Sequence, residues 1–165
     1  MCFKQKAQLI NMLAVTIQNI KKMKKIIALK GKGNSGKTTT IRKLYTKFIE
    51  NKFEVVETNF NIAGGDFTAV FKINDKPIGM TSSGDTYDLV SGNLQKQVDA
   101  NCEVCICACR SFDRSKKGTN KAISKFEDYE SEFIKKSVET NVDKRDEVNS
   151  SDALKILNRI NTLIN

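Results

Sequence analysis

The chain has 165 residues, of which 39% are hydrophobic and 28% charged, and its formal net charge is +9. This length and composition predict one globular domain and exclude a disordered or fibrous chain. Five cysteines without a disulfide-like framework, and no credible secretion signal, predict a cytoplasmic protein in a reducing compartment. The chain has no histidine, which excludes Ser-His and Cys-His nucleophilic catalysis.

The positive charge is concentrated at one end of the chain. Residues 1–50 contain 12 Lys or Arg and one acid, whereas residues 51–165 contain 16 Lys or Arg and 18 acids. A basic end can attract nucleic acid or an anionic membrane. A phosphate-binding site within an ordinary lysine-rich surface accounts for the same excess, and we favour this second interpretation.

Residues 1–22 carry apolar side chains at helical spacing and lead into further lysines. This pattern predicts an amphipathic helix, and a basic helix of this kind can lie on a membrane surface. The run is too short and too polar to cross a bilayer. We interpret it as a basic amphipathic extension outside a single domain formed by residues 23–165. The apolar positions are Leu9, Leu13, Ile17 and Ile20.

The first part of the domain alternates strand and helix. Residues 25–29 form a short apolar run typical of a strand buried on both faces, and residues 39–51 show the spacing of an amphipathic helix. The sequence of residues 53–58, Phe-Glu-Val-Val-Glu-Thr, predicts the next strand. Because a strand, a helix and a second strand follow one another, we expect a parallel sheet with a right-handed crossover.

A β-hairpin and a central strand come next. Residues 67–73 and 77–81 flank a turn-like cluster at residues 74–76, a pattern that predicts a hairpin. A helix is expected over residues 85–98. Residues 102–109 are the most apolar run in the chain and predict a central strand.

The last third of the chain predicts smaller elements before a closing helix. We expect a basic loop at 111–120, a helical stretch to residue 129, a short strand at 132–134, a polar linker at 138–149, and a helix capped by Ser150 or Ser151. Together the elements predict an α/β fold of three layers, with a mostly parallel sheet and a β-hairpin insertion.

Residues 31–38 fit the pattern G-x-x-x-x-G-K-[ST] at every fixed position, between the apolar strand and the amphipathic helix. In this context the glycines let the backbone approach a phosphate, successive N–H groups form an anion-binding nest, and the lysine reaches the β- and γ-phosphates. The threonine hydroxyl can bind Mg²⁺. The predicted nucleotide-binding residues of this glycine loop are Gly31, Lys32, Gly33, Asn34, Ser35, Gly36, Lys37, Thr38 and the adjoining Thr39.

The glycine loop and its flanks make the chain resemble the P-loop NTPase superfamily over about residues 25–59. The resemblance implies a three-layer P-loop NTPase-like fold with ATP and Mg²⁺ as ligands. GTP is less expected, because the sequence contains no guanine-reading N-K-x-D tetrad. In length and closing pattern the chain is similar to the small nucleoside and nucleotide kinases. It also resembles the partition-type ATPases with a deviant Walker A loop, in which Lys32 matches the extra lysine but Asn34 replaces the second glycine.

Two carboxylates are candidates for the magnesium and acceptor chemistry. Asp85 follows a strand end rich in hydroxyl residues, although capping of the next helix explains its position equally well. Asp66 follows a Gly-Gly pair near Glu57 and Asn59, where strand ends collect on the ligand side of a sheet, and a simple turn is the alternative. The predicted catalytic residues are Lys37, Asp66 and Asp85, and the predicted metal ligands are Thr38 and Asp85.

Basic side chains follow the central strand. Arg110 resembles, in position, the arginine that many P-loop kinases bring to the base or to a phosphate, tasks that suit a planar and permanently charged guanidinium. Arg114, Lys116 and Lys117 follow in one loop. They either close over phosphates as a lid or form an ordinary exposed loop.

The central strand also carries Cys102, Cys105, Cys107 and Cys109. The last three alternate along the strand and therefore point to one face, which favours buried thiols over a tetrahedral metal site.

The sequence leaves two functions open. The first is an enzyme that transfers the γ-phosphoryl group of ATP to a small acceptor or to water. The second is an ATP-dependent switch that docks to a partner, to nucleic acid or to a membrane through the basic N-terminal segment.

Overall fold

The computed structural model describes residues 5–13, 24–115 and 117–165. Within these ranges one six-stranded mixed sheet has the strand order β2-β3-β4-β5-β1-β6. The strands are β1 (Lys25–Lys30), β2 (Glu54–Thr58), β3 (Thr68–Ile73), β4 (Lys76–Thr81), β5 (Val104–Cys109) and β6 (Glu130–Lys135). The helices are α1 (residues 5–13), α2 (Lys37–Glu50), α3 (Tyr87–Asp99), α4 (Thr119–Ser124) and α5 (Arg145–Ile164), and a 3-10 turn spans Val142–Lys144.

Strand β1 lies inside the sheet and pairs in parallel with β5 and β6. Successive side chains of a strand point to opposite faces, so its apolar run serves two cores. Ile27 and Leu29 pack with α2 and α5, whereas Ile26 and Ala28 pack with α3 and α4. The predicted three-layer α/β arrangement with a mostly parallel sheet is therefore confirmed at the level of architecture.

The predicted β-hairpin is present as β3 and β4, which pair antiparallel. Its turn residues Asn74 and Asp75 both have positive φ values, of 50° and 62°. Asparagine and aspartate tolerate this region better than most residues, which fits a tight hairpin turn. Strand β4 also pairs in parallel with β5. The hairpin is thus part of the main sheet and is not an insertion.

Strand β2 differs from the sequence expectation. It pairs antiparallel with β3 at one edge of the sheet and is separated from β1 by three strands. All five of its residues are exposed. A strand beside β1 must bury both faces, and the acids Glu54 and Glu57 prevent β2 from doing so. Strand β5, buried at all six positions, takes that place.

Two helix boundaries were predicted wrongly. Helix α5 begins at Arg145, within the expected polar linker, and Ser150 lies inside it and donates a hydrogen bond to the Asp146 carbonyl. The acids Asp146 and Glu147 in the first turn favour this earlier start, because they complement the positive end of the helix. Helix α4 ends at Ser124, short of the expected residue 129.

The N-terminal segment is described in part. Residues 5–13 are helical and exposed, in agreement with the predicted helix around Leu9 and Leu13. The predicted apolar positions Ile17 and Ile20 lie outside the described residues. None of the described helices has both the length and the apolar character that crossing a membrane requires.

The thiols of Cys102, Cys105, Cys107 and Cys109 are all buried in the core between the sheet and helices α3 and α4. Cys105, Cys107 and Cys109 alternate along β5 and share one face of the sheet, as predicted. Burial raises the pKa of Cys102 and of Cys109 to about 12, so both stay protonated and poorly nucleophilic at neutral pH.

A buried ion pair joins the end of β6 to α5. Lys136 Nζ lies 2.9 Å from Asp152 Oδ2, and both side chains are almost completely buried. Asp152 also accepts hydrogen bonds from the Ser137 backbone and hydroxyl and from Lys155. Burial alone would raise the pKa of Asp152, but the hydrogen bonds from Lys155, Lys136 and Ser137 outweigh it and lower the pKa to about 2.

The Asp152 cluster makes stability dependent on acid pH. Because the folded-state pKa is below that of an unfolded aspartate, the stabilisation is complete above about pH 4 and is lost as pH falls toward 2. Urea unfolding from pH 2 to 7 is expected to show this decline, and Asp152→Asn should remove it. At neutral pH we expect Asp152→Asn to lower the free energy of unfolding by about 3 kcal/mol, since it leaves the Lys136 charge buried and unpaired.

The exposed ion pair between Lys43 and Asp146 provides the control, because Asp146 lies on the same helix as Asp152. Asp146→Asn should lower the free energy of unfolding by less than about 1 kcal/mol, as is usual for surface ion pairs. Equal effects of the two substitutions would contradict a special role for the buried cluster.

Candidate functional site

The glycine loop starts where three parallel strands end at the same level. The register pairs Lys30 of β1 with Cys109 of β5 and with Lys135 of β6. Gly31 N donates to the Cys109 carbonyl at 3.1 Å, so the strand ends are hydrogen-bonded up to the loop itself. The loop therefore leaves the sheet between the residues that follow β5 and β6, and the next helix, α2, begins at its far end.

The amino end of α2 is not neutralised by the protein. Its N-cap residue is Gly36, in the left-handed region at φ 86°, and no side chain caps the helix. The first turn also contains no acidic residue. The free N–H groups and the positive end of the helix dipole therefore face the loop, an arrangement that attracts anions.

Lys37 is the first residue of α2 and is buried, with 6% of its surface exposed. Its ammonium group donates to the carbonyls of Gly31, at 3.1 Å, and Lys32, at 2.6 Å. Among the described residues, no carboxylate forms an ion pair with it. Burial, and next the neighbouring Arg110 charge, lower the pKa of Lys37. An anion bound in the loop would relieve both effects.

Both predicted carboxylates lie with the glycine loop around one small cleft of about 290 Å³, which we call the central cleft. Its lining includes Lys37, Thr38, Asp66, Ser82, Gly84 and Asp85. Ser82 positions Asp66, because its buried hydroxyl donates to Asp66 Oδ1 at 3.1 Å and accepts from the Phe67 N–H. The strand-end loops thus bring the predicted catalytic and metal residues together.

Asp85 does not cap the following helix. Thr86 is the N-cap of α3, and its side chain accepts a hydrogen bond from the Leu89 N–H. Asp85 is instead ion-paired with Arg110, whose Nη2 lies 2.8 Å from Asp85 Oδ1. The capping alternative for Asp85 is therefore wrong.

Arg110 follows β5 and lies against the glycine loop. Its guanidinium occupies the space that a side chain at Gly33 would need, because a methyl group there would collide with Nη1. The ion pair with Asp85 holds the guanidinium beside the central cleft. Arg110 is thus placed to contact an anion in the loop, which matches the phosphate alternative given for it above.

The donor set of the central cleft fits Mg²⁺ better than a softer metal. The described residues hold no cluster of three or more His, Cys, Asp or Glu side chains suited to a metal ion. Mg²⁺ needs no such cluster, because it takes oxygen ligands, keeps several waters and relies on one or two carboxylates plus phosphates. The Thr38 hydroxyl and the carboxylates of Asp66 and Asp85 supply oxygen atoms around one space.

A second cavity, of about 360 Å³, lies on the other side of the glycine loop and was not predicted. We call it the C-terminal cavity, and its lining includes Ser35, Thr39, Lys136, Ser137, Thr140 and Asn149. Asn149 packs on Gly36, where a methyl group would lie 2.7 Å from Asn149 Oδ1. No sequence pattern points to Asn149, because it falls in a stretch that was predicted to be a polar linker.

The remaining predicted residues divide between the loop and the sheet edge. Asn34 adopts a positive φ of 56° and is exposed on the loop, and Ser35 donates to the Lys32 carbonyl at 2.9 Å. Glu57 and Asn59 do not border the central cleft. Asn59 Oδ1 accepts from the Thr68 N–H at 2.6 Å and so closes the β2–β3 connection.

Comparison with protein-family models, with curated proteins and with solved structures finds no match to this chain.

Two of the three loop glycines, Gly33 and Gly36, differ in what a side chain would meet, and a matched pair of variants tests this geometry. Gly36→Ala should lower the free energy of unfolding by about 1–2 kcal/mol or more, because alanine must adopt the left-handed φ and displace Asn149. Gly33→Ala should have a small effect on stability, since only the mobile end of Arg110 must move. Urea unfolding of both variants measures the difference, and equal losses of stability would contradict the loop geometry.

Proposed function

We propose that the protein binds ATP with Mg²⁺ in the glycine loop and transfers the γ-phosphoryl group to a second small molecule. The observation that carries this proposal is the buried Lys37 at the uncapped start of α2, with no carboxylate partner among the described residues. A buried cation is stable only when it is paired or neutralised. A polyphosphate chain supplies the missing charge.

The phosphates would be held by three kinds of positive group. The backbone N–H groups at the start of α2 would donate to the phosphate oxygens. Lys37 would turn its ammonium from the carbonyls of Gly31 and Lys32 toward the β- and γ-phosphates. Arg110, beside Gly33, would stabilise charge on the transferred group, as preorganised cations do in phosphoryl transfer.

The oxygen donors of the central cleft would hold the metal and the acceptor. Thr38 would contact Mg²⁺ through its hydroxyl, and Asp66 and Asp85 would hold metal-bound water. The metal neutralises charge on the phosphates during transfer. Where the acceptor is a hydroxyl, Asp85 or Asp66 would accept its proton, which a carboxylate at hydrogen-bond distance can do.

The nucleoside part of ATP would occupy the C-terminal cavity. This cavity and the central cleft share Gly36 and Thr39, so a ligand in one continues into the other along the loop. The buried pair of Lys136 and Asp152 fixes the wall of this cavity. The nucleoside would then lie on the β6 side and the γ-phosphate on the β5 side.

Substitution of the two lysines of the glycine loop tests the proposal. Lys37→Ala should weaken binding of ATP with Mg²⁺ by at least about tenfold, because it removes the buried phosphate ligand. Lys32→Ala should change binding little, since the Lys32 side chain is exposed and only its carbonyl is used within the loop. Isothermal titration calorimetry measures both affinities, and thermal unfolding verifies that the variants are folded.

The same variants separate transfer from a partition-type switch. In a transfer enzyme, ADP release should depend on an added acceptor and change little with Lys32→Ala. ATP-dependent dimerisation with slow hydrolysis, lost in Lys32→Ala, would instead support the switch. Unchanged ATP binding by Lys37→Ala would refute the glycine loop as the nucleotide site.

The metal role of Thr38 can be tested with an isosteric substitution. Thr38→Val keeps the shape of the side chain but removes the hydroxyl, so the Mg²⁺ concentration for half-maximal turnover should rise about tenfold. Binding of ATP without Mg²⁺ should stay the same. Thr46→Val provides the control, because Thr46 lies on the exposed surface of the same helix. An unchanged Mg²⁺ requirement in Thr38→Val would exclude Thr38 as a ligand.

A further inference from the structure

The largest of the three cavities around the glycine loop, of about 720 Å³, lies between the loop and residues 110–115 and 117–119. We call it the basic cavity. Its lining includes the basic and aromatic side chains of Lys32, Tyr87, Arg110, Phe112, Arg114 and Lys117. A space of this size accommodates a small organic molecule. Of its lining, the functions assigned above to ATP and Mg²⁺ use only Asp85 and Arg110.

The lining of the basic cavity has an excess of positive charge. Its two acids are already engaged: Asp85 pairs with Arg110, and Asp113 accepts hydrogen bonds from the backbone of Asn120 and Lys121 at 3.0 and 2.9 Å. Three further cations, Lys32, Arg114 and Lys117, form no ion pair with any described residue. The cavity therefore favours an anionic ligand, and guanidinium groups suit phosphate in particular.

The same lining offers aromatic surface. Phe112 is 60% exposed although it is a large apolar side chain, and Tyr87 borders the cavity at the start of α3. The Arg114 guanidinium lies 5.7 Å from the centre of the Phe112 ring. An exposed aromatic ring next to unpaired cations suits a ligand with a planar ring and a negative charge.

Hydrogen bonds join the two ends of the segment that forms one wall of the basic cavity. The Arg110 N–H donates to the Thr119 hydroxyl at 2.8 Å, and Asn120 Nδ2 donates to the Arg110 carbonyl at 3.2 Å. Gly118 fits against Asp113 so closely that any side chain would collide with it. The interpretation of Arg114, Lys116 and Lys117 as a lid over phosphates stays a prediction. Lys116, which belongs to that lid interpretation, lies outside the described residues.

The basic cavity opens onto the site proposed for the γ-phosphate. Asp85 lines both this cavity and the central cleft, and its ion pair with Arg110 stands at the boundary. A ligand in the basic cavity can therefore bring one end to the central cleft. The C-terminal cavity lies on the opposite side of the loop and shares no lining residue with the basic cavity.

We propose that the basic cavity binds the phosphoryl acceptor, and that this acceptor is a small phosphomonoester carrying a planar ring. This inference rests on the proposed function, because it takes ATP as the donor on the other side of the loop. The ring would pack on Phe112 and Tyr87. The phosphate would be bound by Arg114 and Lys117 and directed toward the Arg110 side of the cavity.

The transfer step is balanced for this acceptor. An oxygen of the acceptor phosphate forms a bond to the γ-phosphorus, and the bond from that phosphorus to the oxygen bridging the β-phosphate breaks. The bridging oxygen keeps the electron pair and leaves as part of ADP. A phosphomonoester is mostly a dianion at neutral pH, so its attacking oxygen needs no general base. The products are ADP and the diphosphate of the acceptor.

Calorimetry on the full chain, saturated with Mg²⁺ and the non-hydrolysable analogue AMP-PNP, tests the acceptor site. The ligands titrated are the 5′-monophosphates of adenosine, guanosine, cytidine and uridine, 4-nitrophenyl phosphate, the four uncharged nucleosides, and ribose 5-phosphate. At least one ring-bearing phosphate is expected to bind about tenfold more tightly than both its uncharged counterpart and ribose 5-phosphate.

Variants assign this binding to the basic cavity. The double variant Arg114→Ala with Lys117→Ala should bind the ring-bearing phosphate at least about tenfold more weakly. The matched control, Lys121→Ala with Lys125→Ala, removes the same charge from the neighbouring exposed surface of α4 and should change little. Phe112→Ala should weaken the binding of ring-bearing phosphates but leave the affinity for ribose 5-phosphate unchanged.

Equal affinity for all ligands, or equal loss in the two double variants, would overturn the acceptor site. AMP-PNP binding is measured in the same samples, so the two proposals fail separately. Absence of AMP-PNP binding refutes the proposed function, whereas AMP-PNP binding without preference for ring-bearing phosphates refutes only the acceptor proposal.

Discussion

The parallel pairing of β1 with β5 on one side and β6 on the other determines the geometry of the candidate site. The three strands end at one level, so Gly31, Arg110 and Lys136 leave the sheet side by side. The register holds because β1 buries both faces, and a shift by one residue would turn each apolar side chain toward the wrong core. The glycine loop is therefore fixed between a segment that carries Arg110 and a segment that leads into α5. The cavities on both sides of the loop follow from this order.

Two buried lysines at this edge of the sheet differ in the partners of their ammonium groups. Lys136 is neutralised by Asp152, which is itself held by Ser137 and Lys155, and this cluster fixes the connection from β6 to α5. Lys37 is comparably buried, but among the described residues its ammonium group bonds only to the carbonyls of its own loop. The described part of the fold thus supplies a carboxylate to one lysine and carbonyl oxygens to the other, and the proposed anion site rests on this difference. This contrast, within one chain and at one sheet edge, is stronger support for an anion site than the sequence pattern alone.

Sequence reasoning predicted the local features well and the distant ones poorly. The glycine loop, strand β1 and the hairpin depend on residues close in the chain, so periodicity and turn chemistry were sufficient to find them. Strand β2 lies at the edge because β5 takes the place next to β1. No local sequence pattern indicates which of the two strands takes that place. The same limit applies to the ion pair of Asp85 with Arg110, which joins residues 25 positions apart. The capping alternative for Asp85 is wrong for a local reason, because the adjacent Thr86 takes that position. Asn149 gave no signal at all, since its contact with Gly36 arises only when α5 packs on α2.

The arrangement of the cavities favours transfer to a molecule over hydrolysis. A hydrolase or a nucleotide switch needs only the central cleft, where a water molecule has space beside Thr38 and the two carboxylates. The basic cavity is more than twice the volume of that cleft, and three of its cations, Lys32, Arg114 and Lys117, form no ion pair with a described residue. An excess of positive charge around a cleft raises the local concentration of anionic ligands. The position of these cations beyond Arg110, on the side opposite the C-terminal cavity, is where a second substrate would meet the end of a polyphosphate. The charge distribution of the fold therefore supports two anionic ligands that meet at Asp85 and Arg110.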